Sequence, residues 1–184
     1  MAYISVNQKN EYSLNALAAA LWELMRIKPI DEITVTELCE CAQVARKTFY
    51  RNCSGKIDLV DYMCEKQIEE LLSGVDYSSE DYKTLYQNFF LYWKGRRNFL
   101  TVLLKQGLFA EFCSQFIHCC KSKEDYRFLD VFLSGKENQE LLRSYHHTFL
   151  LGGLCQMLEQ WTMESFQTPV EDIVCVLSHL VPEH

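Results

Sequence analysis

The sequence predicts an all-α protein, and three observations carry that expectation. Only three Pro and seven Gly occur in 184 residues, too few for the many turns of a sheet protein. Apolar residues recur at spacings of three and four along most of the chain, the signature of helices with one buried face. Hydrophobic residues make up 48% and charged residues 23%, so helices of this kind have enough apolar surface to build a core.

The first helix is expected over about residues 8–27, where Leu14, Leu17, Ala18, Leu21, Leu24 and Met25 share a face. Pro29 ends it, since proline cannot continue the hydrogen-bond ladder and disfavours helix just before it. Thr34 followed by Glu37 reads as a capping box, opening a second helix that runs to about Cys41 or Ala42. After a break at Gln43-Val44-Ala45, a third helix covers about Arg46 to Cys53, with Phe49 as its buried anchor. Ser54-Gly55 stops it, and a fourth helix from Lys56 carries Leu59, Val60, Met63 and Ile68 towards Ser73-Gly74. Residues 77–81 read as a linker. Further helices are expected at about 80–94, 96–106, 108–121, 138–164 and 169–182, with a loop and one short helix over 122–137.

Charge narrows the partners. The net charge is −7, yet residues 1–60 hold seven basic and seven acidic residues and are neutral; the remaining residues hold 11 basic and 18 acidic. Between Arg46 and Lys56 there are four basic residues and no acid. A compact basic patch on an acidic protein can face a phosphate backbone. No apolar run approaches the roughly 18 residues that cross a bilayer, and Met1–Lys9 lacks the apolar core of a secretory signal. A cytoplasmic protein with no membrane partner is expected.

The nine cysteines are scattered and form no CxxC pair, so they read as small buried hydrophobes before any metal or redox role. His118 beside Cys119-Cys120, and His146-His147, do not make chelating faces, because adjacent helical residues point about 100° apart. No metal site or cofactor is expected. No nucleophile elbow, phosphate loop, paired-carboxylate or metal-ligand motif is present, so an enzyme is not expected either.

Two short helices joined by a three-residue break, the second one basic, form the pattern of a DNA-reading helix-turn-helix. The residues make it specific. Ile33-Thr34-Val35 to Leu38, then Ala42-Gln43-Val44-Ala45-Arg46-Lys47-Thr48-Phe49-Tyr50-Arg51, then Lys56-Ile57-Asp58-Leu59, resemble the TetR/AcrR family signature over about the first 60 residues. The chain departs from it at Gln43, where the family has a turn glycine, at Ala45, where it has a capping Ser, and at Asn52-Cys53, where it has His-Phe.

The resemblance implies a helix-turn-helix DNA-binding domain over 1–60 and a helical regulatory and dimerisation domain over 61–184. It implies a homodimeric regulator, a repressor released from a palindromic operator by a small-molecule effector. In an alternative drawn from the same family, the chain is a co-regulator that docks a partner protein. Thr34, Thr36, Tyr50 and Lys56 are then phosphate contacts. Arg46 and Lys47 are candidates for base edges, Arg being suited to guanine O6 and N7. Ala45, Thr48, Arg51 and Asn52 complete the DNA-binding set.

In the second domain the resemblance implies that the last two helices pair with those of a second subunit. Leu142, Phe149, Gly153, Gln156, Trp161, Ile173 and Leu177 are the interface candidates. The run Phe149-Leu150-Leu151-Gly152-Gly153-Leu154, with Leu158-Glu159-Gln160-Trp161, is similar to the branch that includes dihydroxyacetone-kinase regulators. Phe89, Phe90, Trp93, Phe109, Phe112, Phe116 and Tyr145 are candidates for an effector pocket. They serve equally well as the core of a small domain, since core and pocket use the same residue types.

Overall fold

A computed structural model describes residues 6–74, 81–122 and 139–180. Nine α-helices lie among the described residues. They are α1 (Val6–Met25), α2 (Val35–Cys41), α3 (Arg46–Asn52), α4 (Lys56–Ser73), α5 (Tyr82–Gly95), α6 (Arg97–Lys105), α7 (Phe109–Ser122), α8 (Gln139–Met163) and α9 (Val170–Leu180). The expected loop over 122–137 lies outside the described residues apart from Ser122, which ends α7. None of the described helices is long and apolar enough to cross a membrane. The chain divides into two compact units, Met1–Lys66 and Gln67–His184, and the division falls inside α4.

In the first unit, α1 packs on both α2 and α3. Leu17, Leu21, Ile33, Leu38, Phe49 and Leu59 form its fully buried centre. α1 ends at Met25, and a short 3-10 turn over Ile30–Glu32 follows Pro29 before the cap of α2. That turn buries Ile30.

In the second unit, α5 packs on α9, α6 on α7 and α8, and α7 on α8. Its core is aromatic. Trp93 meets Phe112 edge to face at 4.9 Å, Phe89 lies 5.6 Å from Phe116, and Phe90 lies 5.6 Å from Trp161. Edge-to-face pairs such as Trp93–Phe112 and Phe90–Trp161 contribute about 0.5–1.5 kcal/mol each beyond the area they bury.

Three helices end in the same way. After α2, Val44 N–H bonds Cys39 O and Gln43 N–H bonds Glu40 O; after α6, Leu108 and Gly107 bond Leu103 and Leu104; after α8, Phe166 and Ser165 bond Trp161 and Thr162. This is the Schellman arrangement, which needs a left-handed residue just past the helix. That residue is Gln43 (φ 54°), Gly107 (φ 69°) and Ser165 (φ 57°) respectively. After α8, the apolar contact that accompanies the motif is Phe166 against Trp161, 4.9 Å between rings.

Candidate nucleic-acid interface

The start of α2 is fixed by its own sequence. Thr34 is the N-cap, and its hydroxyl accepts from the Glu37 amide at 3.1 Å. The Glu37 carboxylate takes the Thr34 amide in return, completing the capping box. It also receives the Lys28 ammonium at 2.6 Å. That hydrogen bond is the main reason the Glu37 carboxyl sits below the usual glutamate range.

The Schellman turn at Gln43 then reverses the chain and delivers it to α3. Ala45 is the N-cap of α3 and makes no side-chain cap, as expected from the missing hydroxyl. α3 holds a single buried residue, Phe49, at 0% exposure. Fixing that one position fixes the rotation of the helix. Arg46, Lys47, Tyr50 and Arg51 therefore all face solvent, while Thr48 and Asn52 are half-buried. Tyr50 is 63% exposed and packs its ring edge to face on Phe49 at 5.2 Å. The Asn52 amide is turned back onto Thr48 O at 2.9 Å. Arg51 reaches Asn10 of α1 at 3.4 Å.

Thr34, Thr36 and Ala45 are exposed, like the basic residues of α3. Lys56 is different. Its ammonium donates to the carbonyls of Ile30 and Ile33, the latter at 2.6 Å. With a third, longer contact to the Asp31 carbonyl at 3.5 Å, it holds the start of α4 to the segment between α1 and α2. The family resemblance implies a phosphate contact for Lys56, and in the structure its ammonium is placed against these carbonyls. Nothing local signals this, because its partners lie 23 and 26 residues away in sequence.

In the second unit, six of the seven pocket candidates come together. Phe89, Phe90, Trp93, Phe109, Phe112 and Phe116 are all buried and linked ring to ring. Tyr145 is not among them: it is 72% exposed on α8.

The interface candidates also divide. Phe149 (68% exposed), Gly153 and Gln156 lie on the open side of α8. A Cβ added at Gly152 or Gly153 would meet nothing within 4 Å. Trp161, Ile173 and Leu177 are buried within the single chain, so they belong first to its core. Trp161 also donates its indole N–H to Thr168 O at 2.8 Å. The side chain of Leu142 lies outside the described residues. Residues not singled out from the sequence join the exposed set: Leu141, Met163, Val176 and Leu180 are each at least 52% exposed. Between α8 and α9 lies a groove of about 480 Å³, lined by Gln156, Met157, Gln160, Met163, Asp172 and Val176 among others. The steps of four, four, three, four and seven residues through Leu141, Tyr145, Phe149, Gly152, Gln156 and Met163 are the signal in the sequence for this stripe.

No protein-family model matches the chain, and no curated protein matches it by sequence. Among solved structures it is similar to a dihydroxyacetone kinase operon activator, DhaS, with a TM-score of 0.52 and 15% identity over 91% of this chain and 93% of that one. At that identity the likeness speaks to fold alone, and the chain shares the all-helical fold of that structure.

Proposed function

We propose that this chain is a DNA-binding transcription regulator, active as a homodimer that places two copies of α3 in successive major grooves of a palindromic operator. One observation carries the reading. A seven-residue helix, anchored by Phe49 alone, holds Arg46, Lys47, Tyr50 and Arg51 on its solvent side. A structural helix of that length has no need of three cations and an exposed phenol. A helix that enters a groove uses the cations for base edges and phosphates, and the phenol as a phosphate donor. Lys56 acts in this reading by holding α4 in place.

The second unit supplies the pairing surface. Tyr145, Phe149, Met163, Val176 and Leu180 are large apolar side chains left in water on α8 and α9, and the open space over Gly152 and Gly153 admits close approach of another helix. A two-fold axis through such a face is self-complementary. An effector enters among the buried aromatics and alters the separation of the two α3 helices. Operator release follows when they no longer match half-sites about 34 Å apart. The output proposed is repression. The structural neighbour is named an activator, which favours a second reading in which the bound dimer recruits a partner protein.

Selection of sequences from a random DNA pool by the purified protein, at fixed moderate salt, tests the first reading. Recovery of a palindromic site is expected. No enrichment, from protein that is folded and dimeric, would overturn autonomous operator binding and leave partner docking.

A further inference from the structure

The exposed stripe of α8 has two unlike halves. Before Gly152 it carries knobs: Leu141, Tyr145 and Phe149 are 59%, 72% and 68% exposed. After Gly153 it carries a hollow. Gln156, Glu159, Gln160 and Met163 stand at i, i+3, i+4 and i+7 of one helix. Those are the four corners of a hole that receives one side chain from a facing helix. All four line the groove of about 480 Å³. Buried Trp161 and Ile173 line it as well, and Asp172 and Val176 bring α9 into its wall.

Knobs and hollow are spaced alike about the two glycines. Tyr145 is eight positions before Gly153, and Gln160 is eight after Gly152. Phe149 is four before Gly153, and Gln156 is four after Gly152. A two-fold axis between the glycines of an antiparallel α8 pair therefore sets each Tyr145 over the hole of the other chain, both at once. Packed helices lie about 8–10 Å apart. A Cβ built at Gly152 or Gly153 meets nothing within 4 Å, so the crossing point is open.

The chemistry of the two halves also matches. Glu159, Glu164 and Asp172 line the groove, and among the described residues lining it there is no Lys, Arg or His. The Gln156 amide donates to Glu159 at 2.6 Å, the Gln160 amide to Glu164 at 2.6 Å, and the Thr168 hydroxyl to Glu164 at 3.1 Å. The rim's own donors thus serve its carboxylates, and an incoming group meets an excess of acceptors. A tyrosine brings an apolar ring for Met157, Met163 and Val176 and one O–H for an acceptor at the edge. Charge along α8 has the same polarity. Gln139 to Leu151 holds Arg143, His146 and His147 against Glu140, whereas Gly152 to Glu164 holds two acids and no base. An antiparallel partner sets these unlike halves opposite one another.

We propose that Tyr145 of a second copy fills the groove between α8 and α9, ring inward and phenol on the acidic rim, and so fixes the register of the dimer. The inference rests on the homodimer of the proposed function and adds which residue meets which. It gives Tyr145, which stands apart from the buried aromatics, its place in the other chain.

The test places the photo-crosslinker p-benzoylphenylalanine at position 145 of the full-length protein. Crosslinks are mapped in a mixture of isotope-labelled and unlabelled chains, and sedimentation of the same sample reports its dimers. Crosslinks between chains are expected within residues 156–163 and 172–176, with Met157 and Met163 favoured because benzophenone abstracts hydrogen readily beside sulfur. A dimer whose crosslinks fall elsewhere, or stay within one chain, overturns the register and leaves the homodimer standing. A monomer at every concentration overturns both. A charge exchange reads the same contact independently. Tyr145→Glu, at an exposed position, should keep its helicity and raise the dimer Kd about 100-fold or more. Adding Gln160→Lys should recover most of that loss. An unchanged Kd in Tyr145→Glu, or no recovery with Gln160→Lys, removes Tyr145 from the groove.

Discussion

Phe49 of α3 and Phe149 of α8 are the same side chain in opposite circumstances. Phe49 is 0% exposed and Phe149 is 68% exposed. α3 is one-sided: one ring goes in, and everything charged goes out. α8 is two-sided. Leu150, Leu151, Leu154, Leu158 and Trp161 face the core, while Leu141, Tyr145, Phe149 and Met163 face away. Polar residues exposed on a short helix are satisfied by water, which a polar partner can replace. Apolar residues exposed on a long helix need an apolar one. In the proposed function the first unit is thus matched to a nucleic acid and the second to protein.

The sharpest way to break this contrast is to alter both rings. Phe49→Ala is expected to cost about 3–5 kcal/mol of stability, because it empties the centre of the first unit; urea denaturation measures it. Phe149→Asp should leave intrinsic stability within about 0.5 kcal/mol but weaken self-association by about 2 kcal/mol or more, the scale of an interface hot spot. Sedimentation across a concentration series reads the second effect. A Phe149→Asp protein that still sediments as a normal dimer would remove α8 from the interface.

Next in size is Arg46→Ala, expected to cost about 1–3 kcal/mol at the selected operator and to relax preference at one base pair. Tyr50→Phe, by contrast, should weaken selected and random DNA alike. Titrations on both DNAs separate the two patterns, and equal losses for Arg46→Ala would move it from base edge to phosphate.

Smaller effects sharpen the local picture. Ala45→Ser should add about 0.5–2 kcal/mol by restoring the cap of α3, measured by denaturant midpoint. The least is the Lys28–Glu37 pair. Since the folded carboxyl lies below its usual value of 4.5, its contribution is present above that value and is lost as pH falls through the folded one. Stability of Glu37→Gln and wild type should therefore converge at acid pH. Both groups are partly exposed, so the gap at neutral pH is small.

The sequence made α2 and α3 legible because their determinants are local. Thr34, Glu37, Gln43, Ala45 and Phe49 act within a few residues of themselves. The helix order of the second unit was legible by periodicity, with the ends of α5 to α9 within a few residues of expectation. What could not be read was orientation. A helix apolar on both faces gives no phase, so Trp161, Ile173 and Leu177 could not be told from Phe149, nor Tyr145 from the core aromatics. The carbonyl partners of Lys56 depend on tertiary placement, which no spacing encodes.

The three Schellman ends show how far a sequence can drift while its backbone stays put. One carries glycine, one serine and one glutamine, with φ between 54° and 69°. A side chain in that left-handed basin costs about 1–2 kcal/mol, against a typical total stability of 5–15 kcal/mol. The loss is borne at Gln43 and again at Ser165, each at a turn already secured by two amide bonds. Gln43→Gly should return it as added stability without moving the chain. A position that looks like a signature letter is thus a conformational requirement with a tolerable substitute, and the angle can outlast the residue that best suits it.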